Sequence, residues 1–336
     1  MRRRAFIGLI GGAAALPLAA RAQQAGAHRR LAWIHPSAPL ADLQENGGVR
    51  AYRAFLDELR KLGHVEGANL IVERYSGGAR LDRYEELVRG VVQSRPDVIF
   101  TSGSEITRHL KAATAAIPVV AVLTDPVAEG LINSLAHPGG NITGAAVDAG
   151  IEIWSKRLAL LKEAIPAASH VGLLCARPYW EDPGKAGEAL RAAASKLGIS
   201  VSGCLQEGQL QEAGYRSAFD AMRLDRLDGL VVHDQAENFT NRKLIVELAR
   251  NASLPTIYPY REYVELGGLM AYAVDLPDAF RRAAGQVDQI LRGVSPSALP
   301  FYQQTRFELL INLKTAKALS LNIPGTLLAS SDEVIE

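Results

Sequence analysis

This chain of 336 residues has almost no net charge, few cysteines and few long apolar runs. Lys and Arg number 37 against 36 Asp and Glu, which is too balanced to favour nucleic acid or a membrane surface as partner. Beyond residue 22 no run is long and apolar enough to cross a bilayer. The length exceeds what one small core needs and is typical of two lobes.

The chain has only two cysteines, Cys175 and Cys204, each near the end of a strand-like run. A disulfide requires the two strands to be neighbours and the compartment to be oxidising. Adjacent strands of one sheet rarely offer the geometry of a disulfide. We therefore favour two buried thiols over a bridge.

Motifs of catalysis are also lacking. The sequence contains no G-x-S-x-G, S-x-x-K, H-E-x-x-H or G-x-x-x-x-G-K-[ST] pattern, and its seven histidines show no metal-ligand spacing. We therefore expect a protein that is not an enzyme, with no catalytic residue, no metal and no cofactor.

The first 22 residues have the pattern of an export signal. Arg2-Arg3-Arg4 precedes an apolar stretch from Ala5 to Ala19, and Ala20-Arg21-Ala22 is an A-x-A cleavage pattern. The paired arginines fit both a Sec and a twin-arginine signal, so the route stays open. Cleavage after Ala22 leaves 33 basic and 36 acidic residues, a net charge of about −3. We expect a periplasmic protein that does not span the membrane.

The middle of the chain shows one pattern twice. Asp97-Val98-Ile99-Phe100 and Asp228-Gly229-Leu230-Val231 are strand-like runs that lead into polar residues. After each come a helix-like stretch, a proline-led apolar run and a double glycine. Strand-like and helix-like runs alternate throughout, which is typical of parallel sheets with crossover helices. The pattern predicts two similar α/β lobes with a ligand cleft between them.

The limits of these lobes follow from the order of the runs. We predict an N-terminal lobe over residues 29–147 and a C-terminal lobe over residues 148–275. Residues 276–336 are divided between the two, and which lobe takes which part stays open. In the first lobe the prediction includes helices at Gly48–Leu62 and Val127–Leu135. We expect the protein to be a monomer.

Polar and aromatic residues concentrate where the predicted strands end. Ligands of parallel α/β sheets bind at the carboxyl ends of the strands, so these positions are the candidate ligand contacts. They are Ser37, Ser102, Gly103, Ser104, Thr124, Asp125, Tyr179, His233, Asp234, Tyr260, Tyr272 and Asp275.

Most of these candidates have a structural alternative. Ser102-Gly103-Ser104 precedes a predicted helix, whose first N–H groups suit a carboxylate or phosphate, although one serine could simply cap the helix. Asp234 is predicted to accept a ligand ammonium group or to cap the next helix. Capping is favoured for Asp125. For His233 we favour binding or packing, because no nucleophile accompanies it.

Several runs resemble those of one protein family. They are Thr124-Asp125-Pro126-Val127, His137-Pro138-Gly139-Gly140-Asn141-Ile142-Thr143-Gly144, Leu254-Pro255-Thr256-Ile257-Tyr258, Arg261-Glu262-Tyr263-Val264, Gly267-Gly268-Leu269-Met270 and Asn312-Leu313-Lys314-Thr315-Ala316-Lys317. They resemble the substrate-binding proteins of ABC transporters, the family that includes the tryptophan-binding type. The resemblance covers essentially the whole chain after the export signal.

This resemblance implies a type I periplasmic binding fold, in which two Rossmann-like lobes joined by a hinge close on a small ligand. It also implies delivery of the ligand to a permease with a cytoplasmic ATPase. We expect capture of a carboxylate-bearing solute, an amino acid or aromatic acid. Ser102 and Ser104 would hold its anionic end in the first lobe, and Asp234 and aromatic residues would close on it from the second.

Two other functions fit the same lobes. One is a sensory binding protein that presents its ligand to a membrane receptor, and the other is a periplasmic enzyme. A DNA-binding regulator shares the two-lobed plan, but an export signal stands where its DNA-binding head would be. Nucleic acid is therefore not expected as a partner.

Overall fold

The computed structural model describes residues 28–147, 150, 152–206 and 210–336. The predicted export signal, and residue 148 at the predicted boundary between the lobes, lie outside these residues. The strands are β1 (Arg29–His35), β2 (Leu70–Ser76), β3 (Val98–Ser102), β4 (Val119–Leu123), β5 (Ile142–Ala146), β6 (His170–Ala176), β7 (Ser200–Gln206), β8 (Gly229–Val232), β9 (Thr256–Tyr258), β10 (Met270–Val274), β11 (Tyr302–Gln303), β12 (Phe307–Asn312) and β13 (Glu333–Ile335). The helices are α1 (Arg50–Lys61), α2 (Tyr84–Gln93), α3 (Ser104–Ala113), α4 (Glu152–Ala164), α5 (Arg177–Glu181), α6 (Ala186–Leu197), α7 (Glu212–Asp225), α8 (Ala236–Thr240), α9 (Arg242–Asn251), α10 (Arg261–Glu265), α11 (Leu276–Leu291), α12 (Leu313–Ala318) and α13 (Gly325–Ala329).

The strands form two sheets whose shared order accounts for the pattern that the sequence shows twice. The first sheet runs β11-β5-β4-β3-β1-β2 and the second runs β13-β12-β10-β9-β8-β6-β7. Strands β1 to β5 thus have counterparts in β6 to β10. Among the described strand pairs, only β10 with β12 is antiparallel. The predicted α/β fold with two Rossmann-like halves is confirmed.

The central strands are apolar along their length because helices cover both faces of each sheet. All five residues of β3 and all five of β4 are buried. Polar residues stand at the carboxyl ends of these strands, because Thr101 and Ser102 close β3 and Thr124 follows β4. In the second sheet His233 and Asp234 follow β8 in the same way. This arrangement brings the predicted ligand contacts to strand ends.

The chain passes between the two sheets more than once. After β10, helix α11 packs on α1 and against β3, β4 and β5 of the first sheet. Strand β11 then pairs with β5, and β12 returns to pair with β10. The crossings lie between β5 and α4, between β10 and α11, and between β11 and β12. Among the described residues, no helix combines the length and apolarity needed to cross a bilayer.

The predicted helix at Val127–Leu135 is wrong, and the structure has a turn there. The N–H groups of Leu131 and Ile132 both bond to the carbonyl oxygen of Pro126, at 2.9 and 3.2 Å. Gly130 has φ +66°, the left-handed conformation that ends a helix. The segment therefore folds back after a single turn.

Both cysteines are free and buried in the structure. Strands β6 and β7 are neighbours, but Leu174 is the residue paired with Cys204. Because side chains alternate along a strand, Cys175 and Cys204 point to opposite faces of the sheet. No disulfide can join them in this register.

Candidate functional site

A pocket lies between the two sheets, at the ends of β3, β4 and β8. The space that the centre of a water-sized sphere can occupy in it is about 40 Å³. Small polar groups and aromatic rings from both sheets form its wall. They are His35, Tyr52, Ser102, Gly103, Ser104, Thr124, Tyr179, Asp234, Gln235, Phe239, Tyr260 and Phe280, with Val122, Leu123, Val147, Ala236 and Leu276.

The turn from β3 into α3 supplies the small residues of the pocket. Gly103 has φ +96°, which glycine adopts without strain and which turns the chain sharply into the helix. A Cβ at this position would lie 3.3 Å from Pro36 Cγ and 3.4 Å from Ala236 Cβ. Ser102 Oγ is buried and, within the described part of the chain, has no hydrogen-bond partner. It is therefore available to a ligand.

His35 orients a hydroxyl group into the pocket. Its Nδ1 accepts hydrogen bonds from the N–H groups of Ser37 (3.1 Å) and Ala38 (2.8 Å), and burial lowers the pKa of His35 to about 3. The ring is therefore neutral with its hydrogen on Nε2, which lies 2.7 Å from the Tyr52 hydroxyl oxygen. Tyr52 accepts that bond and keeps its own hydrogen to donate.

On the second sheet, Asp234 is held in a buried ion pair with Arg157. Arg157 Nη1 lies 3.3 Å from Asp234 Oδ2, and both side chains are almost fully buried. The guanidinium also donates to the carbonyl oxygen of Tyr272 and lies over the Trp154 ring, 5.2 Å from its centroid. The Thr124 hydroxyl donates to Asp234 Oδ1 at 3.3 Å. The negative charge of Asp234 is thus largely balanced within the protein.

His233 is a neutral ring in an aromatic stack. Its ring centroid lies 4.1 Å from that of Tyr179 and 4.9 Å from that of Trp154. Burial lowers the pKa of His233 to about 4, and Nδ1 accepts a hydrogen bond from the Gln235 N–H group at 3.0 Å. The 3.3 Å approach of Nδ1 to Asp234 is therefore a contact between neutral and charged groups, not an ion pair.

A second cavity of about 30 Å³ by the same measure adjoins the pocket and shares Thr124 and Tyr179 with it. Its wall includes Glu129, from the turn after β4, and Lys185, which precedes α6. Glu129 Oε2 and Lys185 Nζ are buried atoms that lack a hydrogen-bond partner among the described residues. Burial raises the pKa of Glu129 to about 7, although Ser104, Lys185 and Arg108 act to lower it.

The two sheets are also joined by direct polar contacts around the pocket. Ser37 Oγ lies 2.7 Å from Thr240 Oγ1, and the Tyr84 hydroxyl donates to Glu237 Oε1 at 2.9 Å. At the outer edge, Arg50 in α1 donates to Glu265 in α10 at 3.0 Å. The structure is therefore a closed arrangement of the two halves.

Most of the residues predicted from the sequence lie at these cavities. Those that line the pocket are Ser102, Gly103, Ser104, Thr124, Tyr179, Asp234 and Tyr260. Asp125 and His233 line the second cavity, and Asp125 Oδ1 also accepts a hydrogen bond from the Ala128 N–H group. Ser37 lies beside the pocket and bonds across the sheets to Thr240 and the Ala236 carbonyl.

Two predicted contacts lie outside both cavities. Tyr272 stacks on Phe307, with ring centroids 5.3 Å apart. Asp275 caps α11 by accepting a hydrogen bond from the Asp278 N–H group at 2.9 Å, and it lies at a crossing between the sheets. Their positions favour structural roles.

Sequence reasoning missed several residues of the site. Tyr52 and Phe280 reach the pocket from α1 and α11, where the spacing predicts only packing. Arg157 lies on α4 as one charge among many, and Glu129 falls in the segment that was predicted to be a helix. Lys185 follows Pro183-Gly184, a loop pattern that gives no sign of burial. Within the described ranges, no group of three or more His, Cys, Asp or Glu could hold a metal ion.

Comparison with known proteins gives consistent matches. Residues 42–335 match the model of a family described as ABC transporter substrate binding protein. A relative, the tyrosine-binding protein of Clostridioides difficile (strain R20291), is 23% identical over 273 residues, which are 81% of this chain and 77% of that protein.

Solved structures share the fold. A conserved domain protein from Vibrio cholerae has a TM-score of 0.77 and 24% identity, covering 91% of this chain and 99% of that one. An ABC domain in complex with L-Trp from Streptococcus pneumonia also has a TM-score of 0.77, with 21% identity, covering 92% of this chain and 100% of that one. At these identities the likeness establishes the fold.

Proposed function

Because the chain belongs to the ABC transporter substrate binding protein family, we propose that it captures a small carboxylate-bearing solute for import. The solute is an amino acid or an aromatic acid, held between the two sheets. Proteins of this family bind solutes and are not enzymes, and they typically act outside the cytoplasm.

The observation that carries this proposal is the pocket between the sheets. Contacts from both halves converge on it, including Ser102 and Tyr52 from the first and Tyr260 and Asp234 from the second. Such a set of contacts exists only when the halves are together. A ligand that uses both therefore favours the closed arrangement over an open one.

The composition of the wall supports a ligand with an apolar or aromatic part. Tyr52, Phe239, Tyr260 and Phe280 surround the space, and ring–ring contact is a favourable way to hold a ring. One water needs roughly 10–15 Å³ of such space, so the pocket has room for about three waters in this arrangement. A tyrosine or tryptophan ligand, as named for the two relatives above, requires the halves to separate further.

We place the two lobes around the two sheets. The first comprises residues 29–147 and is completed by α11 and β11, and the second comprises residues 148–275 and is completed by β12 and β13. The chain crossings between the sheets then act as the hinge. The packing of α11 on α1 and the pairing of β12 with β10 support this division.

The proposal includes export and a membrane partner. Residues 1–22 are a signal that is cleaved after Ala22, and the mature protein is a periplasmic monomer. It presents the closed, ligand-bound form to an ABC permease with a cytoplasmic ATPase. The basic, apolar and small-residue order of the N-terminal segment supports the first step.

The test begins with the mature chain, stripped of bound solute by unfolding and refolding. Calorimetric titration with the twenty amino acids, phenylacetate and indole-3-acetate should give a dissociation constant in the micromolar range or tighter for at least one compound. The bound compound should be recovered unchanged, whereas turnover would favour an enzyme. Loss of uptake of that compound in cells lacking the gene would separate import from sensing. The proposal fails if none of these compounds binds.

A further inference from the structure

The second cavity holds two buried charged groups that the pocket itself does not use. We propose that this cavity, hereafter the head-group cavity, is the subsite for the charged end of an α-amino acid. Glu129 receives the ammonium group and Lys185 receives the carboxylate, while the amino-acid side chain lies in the aromatic pocket. This inference rests on the proposed function, since it assigns the orientation of the ligand in the same site.

The two cavities are placed to hold the two ends of one molecule. Thr124 and Tyr179 belong to the walls of both. The pocket is rich in rings, whereas the head-group cavity has Glu129, Lys185 and Asp125 in its wall. An apolar chamber beside a charged one matches a zwitterion with an apolar side chain.

The polar atoms of the head-group cavity need partners. The Glu129 side chain is more than nine-tenths buried, and its Oε2 has no partner within the described ranges. Lys185 Nζ is buried in the same cavity and likewise has no partner there. Leaving a charged donor or acceptor buried without a hydrogen bond is unfavourable. An α-amino acid supplies one partner of the right sign to each.

The other charged groups nearby are already engaged. Asp234 is paired with Arg157, and Asp125 accepts a hydrogen bond from a backbone N–H group. His233 is neutral and stacked between rings. Glu129 and Lys185 are therefore the charged side chains of this wall that have a buried atom without a hydrogen-bond partner in the described part of the chain.

The position of Glu129 fixes the orientation. The Ser104 hydroxyl, at the first turn of α3, acts on the Glu129 carboxyl and lowers its pKa. A ligand anion at this helix N-terminus would meet the Glu129 charge, whereas a ligand ammonium would be attracted by it. The ligand carboxylate is then assigned to Lys185, which precedes a helix packed on the second sheet. The ligand thus completes a charge bridge between the two halves.

Two isosteric variants test the assignment against three probes. The first set of probes is L-tyrosine with two analogues: 3-(4-hydroxyphenyl)propionate lacks the ammonium group, and tyramine lacks the carboxylate. The second set is L-leucine with the corresponding acid, 4-methylpentanoate, and the corresponding amine, 3-methylbutylamine. Glu129→Gln should lower the affinity for the amino acid and for the amine roughly 10- to 100-fold and leave the affinity for the acid unchanged. Lys185→Met should lower the affinity for the amino acid and for the acid by a similar factor and leave the affinity for the amine unchanged.

Matched control variants and a second measurement distinguish a role in ligand binding from a structural role. Lys196→Met, on the exposed face of α6, and Glu247→Gln, on the exposed face of α9, should change no affinity. At pH 8 the ligand-free Glu129→Gln protein should melt at or above the wild-type temperature, because it loses a buried carboxylate whose charged form burial disfavours. A clear fall in its melting temperature would mark Glu129 as structural and overturn the assignment.

The outcomes separate this inference from the proposed function. In one outcome an amino acid binds the wild type, and both variants lose affinity equally for the acid, the amine and the amino acid. That result overturns the assignment of the head-group cavity and leaves the proposed function standing. If neither amino acid in these sets binds but another from the full panel does, the same variants must show the same selective losses with that compound and its two analogues, and any other pattern overturns the inference. Binding of aromatic acids alone, or of no compound at all, overturns the inference.

Discussion

At the scale of single residues, the site depends on buried charges that lie far apart in the sequence. Arg157 and Asp234 are separated by 77 positions, yet their side chains form one of the most deeply buried ion pairs of the described chain. Asp234 is predictable from the sequence because it lies two residues beyond the carboxyl end of an apolar strand. Arg157 is not, because its burial results from tertiary packing of α4 and leaves no trace in local periodicity.

The pair yields a stability prediction. Arg157→Met should lower the free energy of unfolding by about 3–5 kcal/mol, because it leaves the Asp234 carboxylate buried without its cation. Arg216→Met, which breaks an exposed pair with Glu212, should change it by less than about 1 kcal/mol. Urea titration of both variants makes the comparison. Adding Asp234→Asn to Arg157→Met should restore part of the loss, and equal losses in the two single variants would contradict the prediction.

A pH dependence follows from Glu129. Burial raises its pKa to about 7 in the folded state, against an ordinary 4.5, with Lys185, Arg108 and Asp234 as the charges that face it. The folded protein therefore binds a proton more readily than the unfolded chain. Its stability contribution is fully present below pH 4.5 and is lost as the pH rises through 7. Relative to Glu129→Gln, the wild type should lose about 3 kcal/mol between pH 4.5 and pH 8.

This comparison is made by urea titration of both proteins at pH 4.5, 6 and 8. The two buried histidines, whose lowered pKa values destabilise the folded state in acid, are present in both proteins and cancel in the difference. A difference that does not change with pH would show that Glu129 titrates normally and is solvated.

At the scale of elements, the strands are the most predictable part of this fold. The apolar runs near Val98 and Val119 coincide with β3 and β4, because strands buried on both faces are nearly continuous runs of apolar residues. The segment after β4 is the exception. Its capping aspartate and proline indicate a helix, but Gly130 ends it after one turn. That error hid Glu129, whose side chain turns inward.

The turn into α3 gives a prediction for this scale. Gly103→Ala should weaken ligand binding and lower stability by about 1–3 kcal/mol, because φ +96° strains an alanine. Its new Cβ would also lie 3.3 Å from Pro36 Cγ, a tight contact, and 3.4 Å from the Cβ of Ala236, which begins α8 on the other side of the pocket. Gly90→Ala, in the exposed part of α2, should instead stabilise by about 0.5–1 kcal/mol. Thermal melts and calorimetry read both effects, and unchanged affinity in Gly103→Ala would argue against close approach at this turn.

At the scale of the whole molecule, the duplicated strand order brings equivalent strand ends to the site, and the residues at those ends differ between the two copies. Order 5-4-3-1-2 in the first sheet recurs as 10-9-8-6-7 in the second, so the carboxyl ends of β3 and β8 are equivalent places. The first offers Ser102-Gly103-Ser104 and the second offers His233-Asp234-Gln235. The sequence pattern predicts this symmetry. It does not predict how far the halves close, since that depends on contacts between residues from different elements.

One of these contacts gives the prediction for closure. The Tyr84 hydroxyl donates to Glu237 across the interface, and both side chains are buried in the closed arrangement. In the closed arrangement Tyr84→Phe removes one hydrogen bond to the Glu237 carboxyl. In an open form a water molecule can replace that hydrogen bond. Ligand affinity should therefore fall about 3- to 10-fold, as expected for one net hydrogen bond. The ligand-free variant should also show a larger radius of gyration by X-ray scattering. Tyr75→Phe removes a similar bond to Glu73 within the first sheet and should alter neither quantity. Equal behaviour of the two variants would mean that the Tyr84 contact does not hold the halves together.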